Sequence, residues 1–159
     1  MESRAEPAGS VGLVDALVQL SFAIQDILTR ASASHHLSVS QLRLIGILRD
    51  RTPPMTAIAD HLGLDRSSVT GLVDRGEQRG LVSRTVSSED ARVTLVSLTP
   101  LGFDVGSRIA AAVTTEIEAL VRRVPGADRE HMVRFASAVL DARVEEVATV
   151  TGRTPPHWR

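Results

Sequence analysis

The sequence contains no cysteine in its 159 residues. Disulfide bonds, thiolate metal ligands and thiol-based oxidation sensing are therefore excluded on chemical grounds. Lysine is absent as well, and all 18 basic residues are arginine. Arginine binds phosphate and guanine edges through paired hydrogen bonds, but an arginine-only composition also arises from genomic base composition. It is weak evidence for nucleic-acid binding.

Long hydrophobic runs are also absent, since no stretch approaches the eighteen or so apolar residues that cross a bilayer. The first ten residues include Glu2, Arg4 and Glu6, and no apolar signal-peptide segment follows them. We therefore expect a cytoplasmic protein. Hydrophobic residues make up 43% of the chain and charged residues 23%, with a net charge of -1, which is typical of a soluble globular domain.

Apolar residues at helical spacing predict a long first helix over roughly 11–33, with Ser10 as its N-cap. Ser38 and Gln41 then form a capping-box pattern, in which side chains bind the free backbone N–H groups of a helix start. A second helix therefore begins at this point, and Thr52-Pro53-Pro54 ends it.

Two further long helices are predicted in the C-terminal third. Thr99 supplies an N-cap hydroxyl, and Pro100 occupies the first helical position. Proline is tolerated there because the N–H that it lacks would have no hydrogen-bond partner within the helix. This helix carries an apolar stripe as far as Pro125-Gly126, and the last helix covers about 128–150 before Gly152. The apolar face of the last helix comprises Met132, Phe135, Ala136, Val139, Leu140, Val144 and Val147.

Residues 55–80 predict two short helices joined at Gly63. Ala59 and Gly63 are the informative pair, because a helix-turn-helix needs a small residue where its helices approach and a residue that tolerates positive φ at the turn. Ile58 and Leu62 supply the apolar side of the first short helix. From this segment alone, an ordinary helical hairpin is the alternative.

A predicted β-hairpin follows directly. Gly80 ends the second short helix, an extended run continues through Val86, residues 87–90 have turn chemistry, and 94–98 form the return strand. A hairpin attached to a helix-turn-helix is a wing, and an arginine near its tip is favoured by the negative potential of a DNA minor groove. Arg92 is placed for this contact, with a solvated hairpin arginine as the alternative.

Two motifs in this region resemble signatures of the MarR family. Asp90-Ala91-Arg92 followed by Val96-Ser97-Leu98-Thr99 resembles its wing, and Asp65-Arg66-Ser67-Ser68-Val69-Thr70 with Leu72-Val73-Asp74-Arg75 resembles its recognition helix. The resemblance covers about 11–150. It implies a mainly α fold with a small β-hairpin wing: a winged helix-turn-helix in an intertwined helical homodimer, with two heads on a pseudo-palindromic operator.

The resemblance also divides the chain. We expect a flexible N-terminus over 1–10, a helical dimerisation region over 11–36 and 99–150, a winged helix-turn-helix DNA-binding region over 37–98, and a C-terminal tail over 151–159.

The DNA-binding residues are predicted on the recognition helix and the wing. Ser67, Ser68 and Thr70 lie away from the apolar side of the helix, near its positive N-terminal end, and are expected to contact bases and phosphates. Arg75 is expected to bind guanine or phosphate. By resemblance to the family, Asp90 braces a nearby arginine. The predicted set is Arg66, Ser67, Ser68, Thr70, Arg75, Asp90 and Arg92. The alternative for these polar residues is a solvated helix face.

Gly71 departs from the family pattern, because many relatives carry a side chain there, often arginine, that reaches bases. Direct base readout is therefore expected to be sparse, and DNA shape and wing contacts to matter more. Gly71 and Gly76 are each expected to destabilise the helix by about 1 kcal/mol relative to alanine.

Members of the family often respond to small aromatic or phenolic acids that bind between the long helices and the winged head. The resemblance implies such a ligand here, acting by preferring one spacing of the two heads. Side chains near the expected cleft that can hold an anion are His35, His36 and Arg43. Adjacent histidines in a loop are commonly solvated, which is the alternative.

We therefore expect a sequence-specific transcriptional regulator, a repressor, that binds its operator as a homodimer. The alternative is a protein-interaction module on the same fold that has lost operator binding, for which Gly71 is the hint. An enzyme is not expected, because the sequence has no glycine-rich phosphate loop, paired-histidine motif or convergent Ser/His/Asp pattern. His61, His131 and His157 are scattered, so we expect neither a metal nor a cofactor.

Overall fold

The computed structural model describes residues 12–151, with side chains over 12–142. In this part of the chain the elements are α1 Leu13–Ala33, α2 Val39–Leu48, α3 Met55–Leu62, α4 Arg66–Gln78, β1 Val82–Val86, β2 Thr94–Leu98, α5 Pro100–Val121 and α6 Gly126–Thr151. This order confirms the predicted mainly helical class with a two-stranded wing. None of the described helices combines the length and apolar character needed to cross a membrane.

The predicted helix starts are confirmed where local capping chemistry defines them. The Ser38 hydroxyl accepts a hydrogen bond from the Gln41 N–H at 3.2 Å, and the Gln41 side chain accepts one from the Ser38 N–H at 3.0 Å. The Thr99 hydroxyl likewise accepts from the Gly102 N–H at 3.0 Å, with Pro100 in the first turn. Both caps satisfy backbone donors that a helix start leaves free.

The outer helix ends differ from the predictions by one or two residues. The N-cap of α1 is Gly12, which makes no side-chain cap, whereas Ser10 lies outside the described residues. Helix α6 begins at Gly126 and includes Thr151. The predicted N-terminus 1–10 and residues 152–159 of the predicted tail also lie outside the described part of the chain.

The turn between α3 and α4 has the predicted conformation. Gly63 caps α3 with φ 64° and ψ 35°, in the left-handed region, which glycine adopts without steric cost. The backbone N–H groups of Gly63 and Leu64 both donate to the Ala59 carbonyl. Because Ala59 is small and buried, the two helices approach closely at this corner.

The antiparallel strands β1 and β2 pair in register from Val82 opposite Leu98 to Val86 opposite Thr94. A third segment joins them: the Val96 N–H donates to the Pro53 carbonyl at 3.0 Å, and Pro54 bridges to Leu95. The sequence indicated only that this proline pair ends α2. It also fastens the α2–α3 connection to the base of the wing.

The core lies between α2, α3, α4, the base of the wing and the first half of α5. Its most deeply buried apolar side chains are Leu44, Ile58, Val69, Leu72, Val73, Val96 and Ile109. By contrast, apolar side chains of α1 and α6 are exposed in the single chain: Leu13, Val14, Leu17, Val18, Phe22, Met132, Phe135, Val139 and Leu140. Of the predicted apolar face of α6, the side chains of Val144 and Val147 lie outside the described residues.

Two glycines permit close approaches. A β carbon on Gly76 would lie 2.9 Å from a methyl group of Val82, so this glycine lets β1 pack directly on α4. The expectation that Gly76 only weakens its helix was therefore incomplete. A β carbon on Gly102 would lie 1.9 Å from the Leu81 carbonyl oxygen, where no side chain fits.

Candidate nucleic-acid interface

Asp65 caps the N-terminal end of α4, the predicted recognition helix. Its carboxylate accepts hydrogen bonds from the Ser67 hydroxyl at 2.5 Å, the Ser68 hydroxyl at 2.7 Å and the Ser68 N–H at 2.9 Å. These hydrogen bonds hold the pKa of Asp65 well below its usual range, and the bond from the Ser67 hydroxyl has the largest effect.

The Asp65 cap defines what Ser67 and Ser68 offer to DNA. Both hydroxyl protons point to the carboxylate, so the remaining oxygen lone pairs are suited to accept hydrogen bonds, for instance from base amino groups. The ionised carboxylate also offsets the positive end of the helix dipole. The helix end therefore offers less positive charge to an anion than the neighbouring arginines do. The sequence analysis included Asp65 in the recognition-helix motif but did not predict its role as the N-cap, although an aspartate three residues before Ser68 is a recognisable capping signal.

Arg66, Thr70 and Arg75 are exposed on α4. The Thr70 hydroxyl donates to the Arg66 carbonyl at 2.8 Å, so it too is left with acceptor capacity. A β carbon on Gly71 would lie 3.4 Å from a guanidinium nitrogen of Arg75. The Arg75 side chain thus extends over the position that Gly71 leaves open, and it brings a cation to the region where relatives often carry one.

Arg84 joins the wing to the recognition helix, which the sequence did not indicate. Its guanidinium donates to the Asp74 carboxylate at 2.7 Å and, in a short contact, to the Glu77 carboxylate. The Arg84 backbone N–H also donates to Glu77 at 3.1 Å. Since Arg84 is in β1 while Asp74 and Glu77 are in α4, these contacts fix the wing relative to the helix.

The wing tip is a closed turn. Asp90 accepts hydrogen bonds from the Arg92 N–H through its carboxylate and from the Val93 N–H through its carbonyl, both at 2.9 Å. Ser87 closes the turn by donating its N–H to the Val93 carbonyl at 2.9 Å. Asp90 therefore braces the main chain of Arg92, and the exposed Arg92 guanidinium forms no ion pair among the described residues.

A cavity of about 420 Å³ lies between α1, α2, α5 and the end of α3. Its walls are mainly aliphatic, with one aromatic ring from Phe103, and Arg43, Arg49 and His61 supply its charged or titratable groups. Of the three predicted ligand residues, Arg43 lines this cavity. His35 and His36 are not among its lining residues, and their backbone carbonyls accept hydrogen bonds from Arg79 instead.

Burial lowers the pKa of His61, and the nearby cations Arg51 and Arg43 lower it further. A neutral imidazole is therefore favoured at the cavity wall. Sequence reasoning had set this histidine aside as one of a scattered group. Within the described residues, no group of three His, Asp or Glu side chains is arranged to hold a metal ion.

A capped helix with an exposed polar face, set beside a hairpin that ends in an exposed arginine, defines a winged helix-turn-helix protein. Residues 35–93 match the model of the MarR family. Over these residues, which are less than half of the chain, the protein is similar to the MarR family.

The comparisons with individual proteins agree with that assignment. The chain is 38% identical over 64 residues to the uncharacterized HTH-type transcriptional regulator YfiV of Bacillus subtilis, and the match spans 40% of each protein. It is similar in fold to a mutant MarR from E. coli, with a TM-score of 0.72 and 17% identity over 83% of this chain and 98% of that one. A MepR mutant from S. aureus bound to an oligodeoxyribonucleotide gives a TM-score of 0.60 at 17% identity, over 84% and 99% of the two chains.

Proposed function

We propose that this chain is a transcriptional repressor that binds a pseudo-palindromic duplex operator as a homodimer. The observation that carries the proposal is that Arg84 holds the exposed face of α4 and the Arg92 wing tip on one rigid unit. Such a unit places a helix in the major groove and an arginine at the adjacent minor groove. The DNA-bound MepR relative supports this reading. A repressor of this kind acts in the cytoplasm and has no catalytic step.

The proposed DNA surface comprises Arg66, Ser67, Ser68, Thr70, Arg75, Asp90 and Arg92. Arg66, Arg75 and Arg92 supply its positive charge, and Asp90 supports Arg92 through its main chain. With a formal net charge of -1, the chain has no general attraction to DNA, so binding relies on this local surface. We expect the logarithm of affinity to fall with the logarithm of salt concentration, with a slope of about -0.9 for each phosphate neutralised.

The homodimer is supported by the exposed apolar side chains of α1 and α6. A soluble monomer rarely exposes so many large apolar side chains, and a second copy of the chain supplies a matching set. Association of two copies also presents two winged heads, which a two-fold symmetric operator requires.

The direct test is in-vitro selection of duplexes from a random-sequence library with the purified full chain. Light scattering measures the oligomeric state, and a reporter gene placed behind the selected duplex measures repression. We expect a dimer, enrichment of an inverted repeat, salt-dependent binding and lower reporter expression. A dimer that enriches no sequence contradicts operator binding and favours the alternative of a protein-interaction module. Higher reporter expression contradicts the repressor role.

We also propose that a small aromatic or phenolic acid releases the protein from DNA by binding in the cavity. The aliphatic walls suit an apolar body, and Arg43 at the lining suits its anionic group. His35 and His36 lie on the α1–α2 loop and do not line the cavity.

A panel of hydroxybenzoates and other aromatic acids tests the ligand proposal by thermal shift and by competition with the selected duplex. We expect stabilisation of the wild-type chain and loss of DNA binding, both weakened by Arg43→Ala. Arg108→Ala, an exposed residue of α5 outside the lining, is the control. Absence of any shift across the panel contradicts the proposal.

A further inference from the structure

Arg79 connects the C-terminal end of the recognition helix to the loop after α1. It is the C-cap residue of α4 and is exposed. One guanidinium nitrogen donates to the His35 carbonyl at 2.9 Å, and the other donates to the His36 carbonyl. Because the guanidinium is planar and makes both bonds at once, it constrains orientation as well as distance.

The loop presents these two carbonyls through an unusual backbone conformation. His36 has φ 56° and is the one non-glycine residue with positive φ in the described part of the chain. The turn is closed by hydrogen bonds from the His36 N–H to the Ala33 carbonyl and from the Leu37 N–H to the Ser32 carbonyl, both at 2.9 Å. The exposed carbonyls therefore lie at the negative end of α1, where a cation is favoured.

This contact bridges two helices that both pack on α2 but otherwise have different main neighbours. Helix α1 packs mainly on α2 and α5, whereas α4 packs on α2, α3 and β1. The hydrogen bonds of Arg79 span 43 and 44 residues of sequence. They link α1, which carries exposed apolar side chains, to α4, which carries most of the proposed DNA surface.

We propose that Arg79 is a positioning residue that sets the orientation of the recognition helix relative to α1, and thereby the distance between the two heads of the dimer. The inference rests on the proposed function, because α1 contributes to association of two copies and α4 contacts the operator. Half-sites on one face of DNA are about 34 Å apart. Angular freedom between α1 and α4 therefore weakens binding to two half-sites at once and leaves binding to one half-site intact.

The first experiment compares Arg79→Ala, Arg79→Lys and His36→Asn with the wild-type chain. Affinity is measured for the selected inverted repeat and for a duplex with a single half-site. His36→Asn is the matched control, because it keeps the carbonyl and a residue type that tolerates positive φ while removing the imidazole. Thermal unfolding of each variant shows whether the fold is retained.

For Arg79→Ala we expect affinity for the inverted repeat to fall roughly three- to thirtyfold, with single half-site affinity unchanged. Arg79→Lys should give an intermediate loss, because an ammonium group lacks the planar fork that bonds both carbonyls together. His36→Asn should match the wild type. An equal loss on both duplexes, or no loss on either, overturns the proposal.

A second measurement does not require DNA. The chain has no cysteine, so spin labels attach only where Gln25→Cys on α1 and Gln78→Cys on α4 place them. Both positions are exposed. Labelled chains are diluted with unlabelled chains, so that only the distance within one chain is measured.

We expect one narrow distance distribution in the otherwise wild-type chain and a broader or shifted one when Arg79→Ala is added. An equally narrow, unshifted distribution overturns the proposal. If the wild-type chain selects no duplex, the proposed function fails, and the spin-label distances still decide the role of Arg79.

Discussion

The guanidinium of Arg84 lies 2.7 Å from the carboxylate of Asp74, across the junction between the wing and the recognition helix. The same guanidinium contacts Glu77. One cation thus separates two carboxylates of α4 and ties both to β1. The Arg84 side chain is 26% exposed, so water screens these pairs less than it screens the more exposed pairs, such as Arg108 with Asp104.

Arg84→Ala is expected to destabilise the fold. The variant loses charge-assisted hydrogen bonds and leaves Asp74 and Glu77 close together without their shared cation, so the free energy of unfolding should fall by about 1–2 kcal/mol. Urea unfolding measures the change. The control is Arg108→Ala, which removes an exposed pair with Asp104 and should change stability by no more than about 0.5 kcal/mol. Equal effects of the two substitutions contradict a stabilising role for the Arg84 contacts.

Asp65 predicts a pH dependence of stability. Its pKa is lower in the folded chain than in the unfolded chain, where a carboxyl has a pKa of about 3.9. The stabilisation from this carboxylate is therefore fully present above about pH 5 and is lost as the pH falls through 4 toward the folded-state pKa.

Asp65→Asn should lower the urea midpoint at pH 7, with a difference from wild type that shrinks as the pH is lowered toward 3. Asp141→Asn, which removes an exposed carboxylate within α6 and none of the Asp65 cap hydrogen bonds, serves as the comparison. A constant difference between Asp65→Asn and wild type across the range argues against the cap as its origin.

Substitution by alanine should change the free energy of unfolding in opposite directions at Gly63 and Gly46. Gly63 has φ 64°, and a β carbon in this left-handed conformation costs about 1–2 kcal/mol. Gly46 lies within α2 and has open space where a β carbon would be, so Gly46→Ala should stabilise the protein by up to about 1 kcal/mol. Thermal or urea unfolding of the two single variants gives both signs, and destabilisation by both substitutions would be inconsistent with this account.

Arg92→Ala tests the wing contact with DNA. Affinity for the selected duplex should fall about tenfold, and the plot of log affinity against log salt should become shallower by about 1, if Arg92 neutralises one phosphate or lies in the minor groove. Dimerisation should not change, because Arg92 is on the wing tip. The control is Arg122→Ala, which removes one positive charge from an exposed position at the end of α5. An equal effect of the two variants rules out a specific wing contact.

The elements that the sequence predicted correctly are those with local signals. The Ser38–Gln41 capping box, the Thr99-Pro100 start and the Gly63 turn each depend on residues within a few positions of one another. Their chemistry is complete before tertiary structure forms, so periodicity and capping rules are sufficient to find them.

The contacts that position the proposed DNA surface were not predictable in the same way. Arg84 is ten residues from Asp74, and Arg79 is more than forty residues from its carbonyl partners. In the sequence these arginines look like any of the other basic residues. Their pairing depends on how the wing and α1 pack against α4, which the patterning of single segments does not specify. Helical projection, hairpin geometry and resemblance to a family predicted the surface residues, which remain a prediction. None of these predicted the contacts of Arg84 and Arg79 behind that surface.

The backbone at the base of the wing packs tightly against the first turn of α5. The Thr99 N–H donates to the same Leu81 carbonyl that excludes a β carbon at Gly102. The backbone at the start of α5 therefore contacts the backbone at the start of the wing directly. We therefore expect the first turn of α5 and the wing to form one rigid unit. Any change in the orientation of α5 is therefore expected to be accompanied by the same change in the wing.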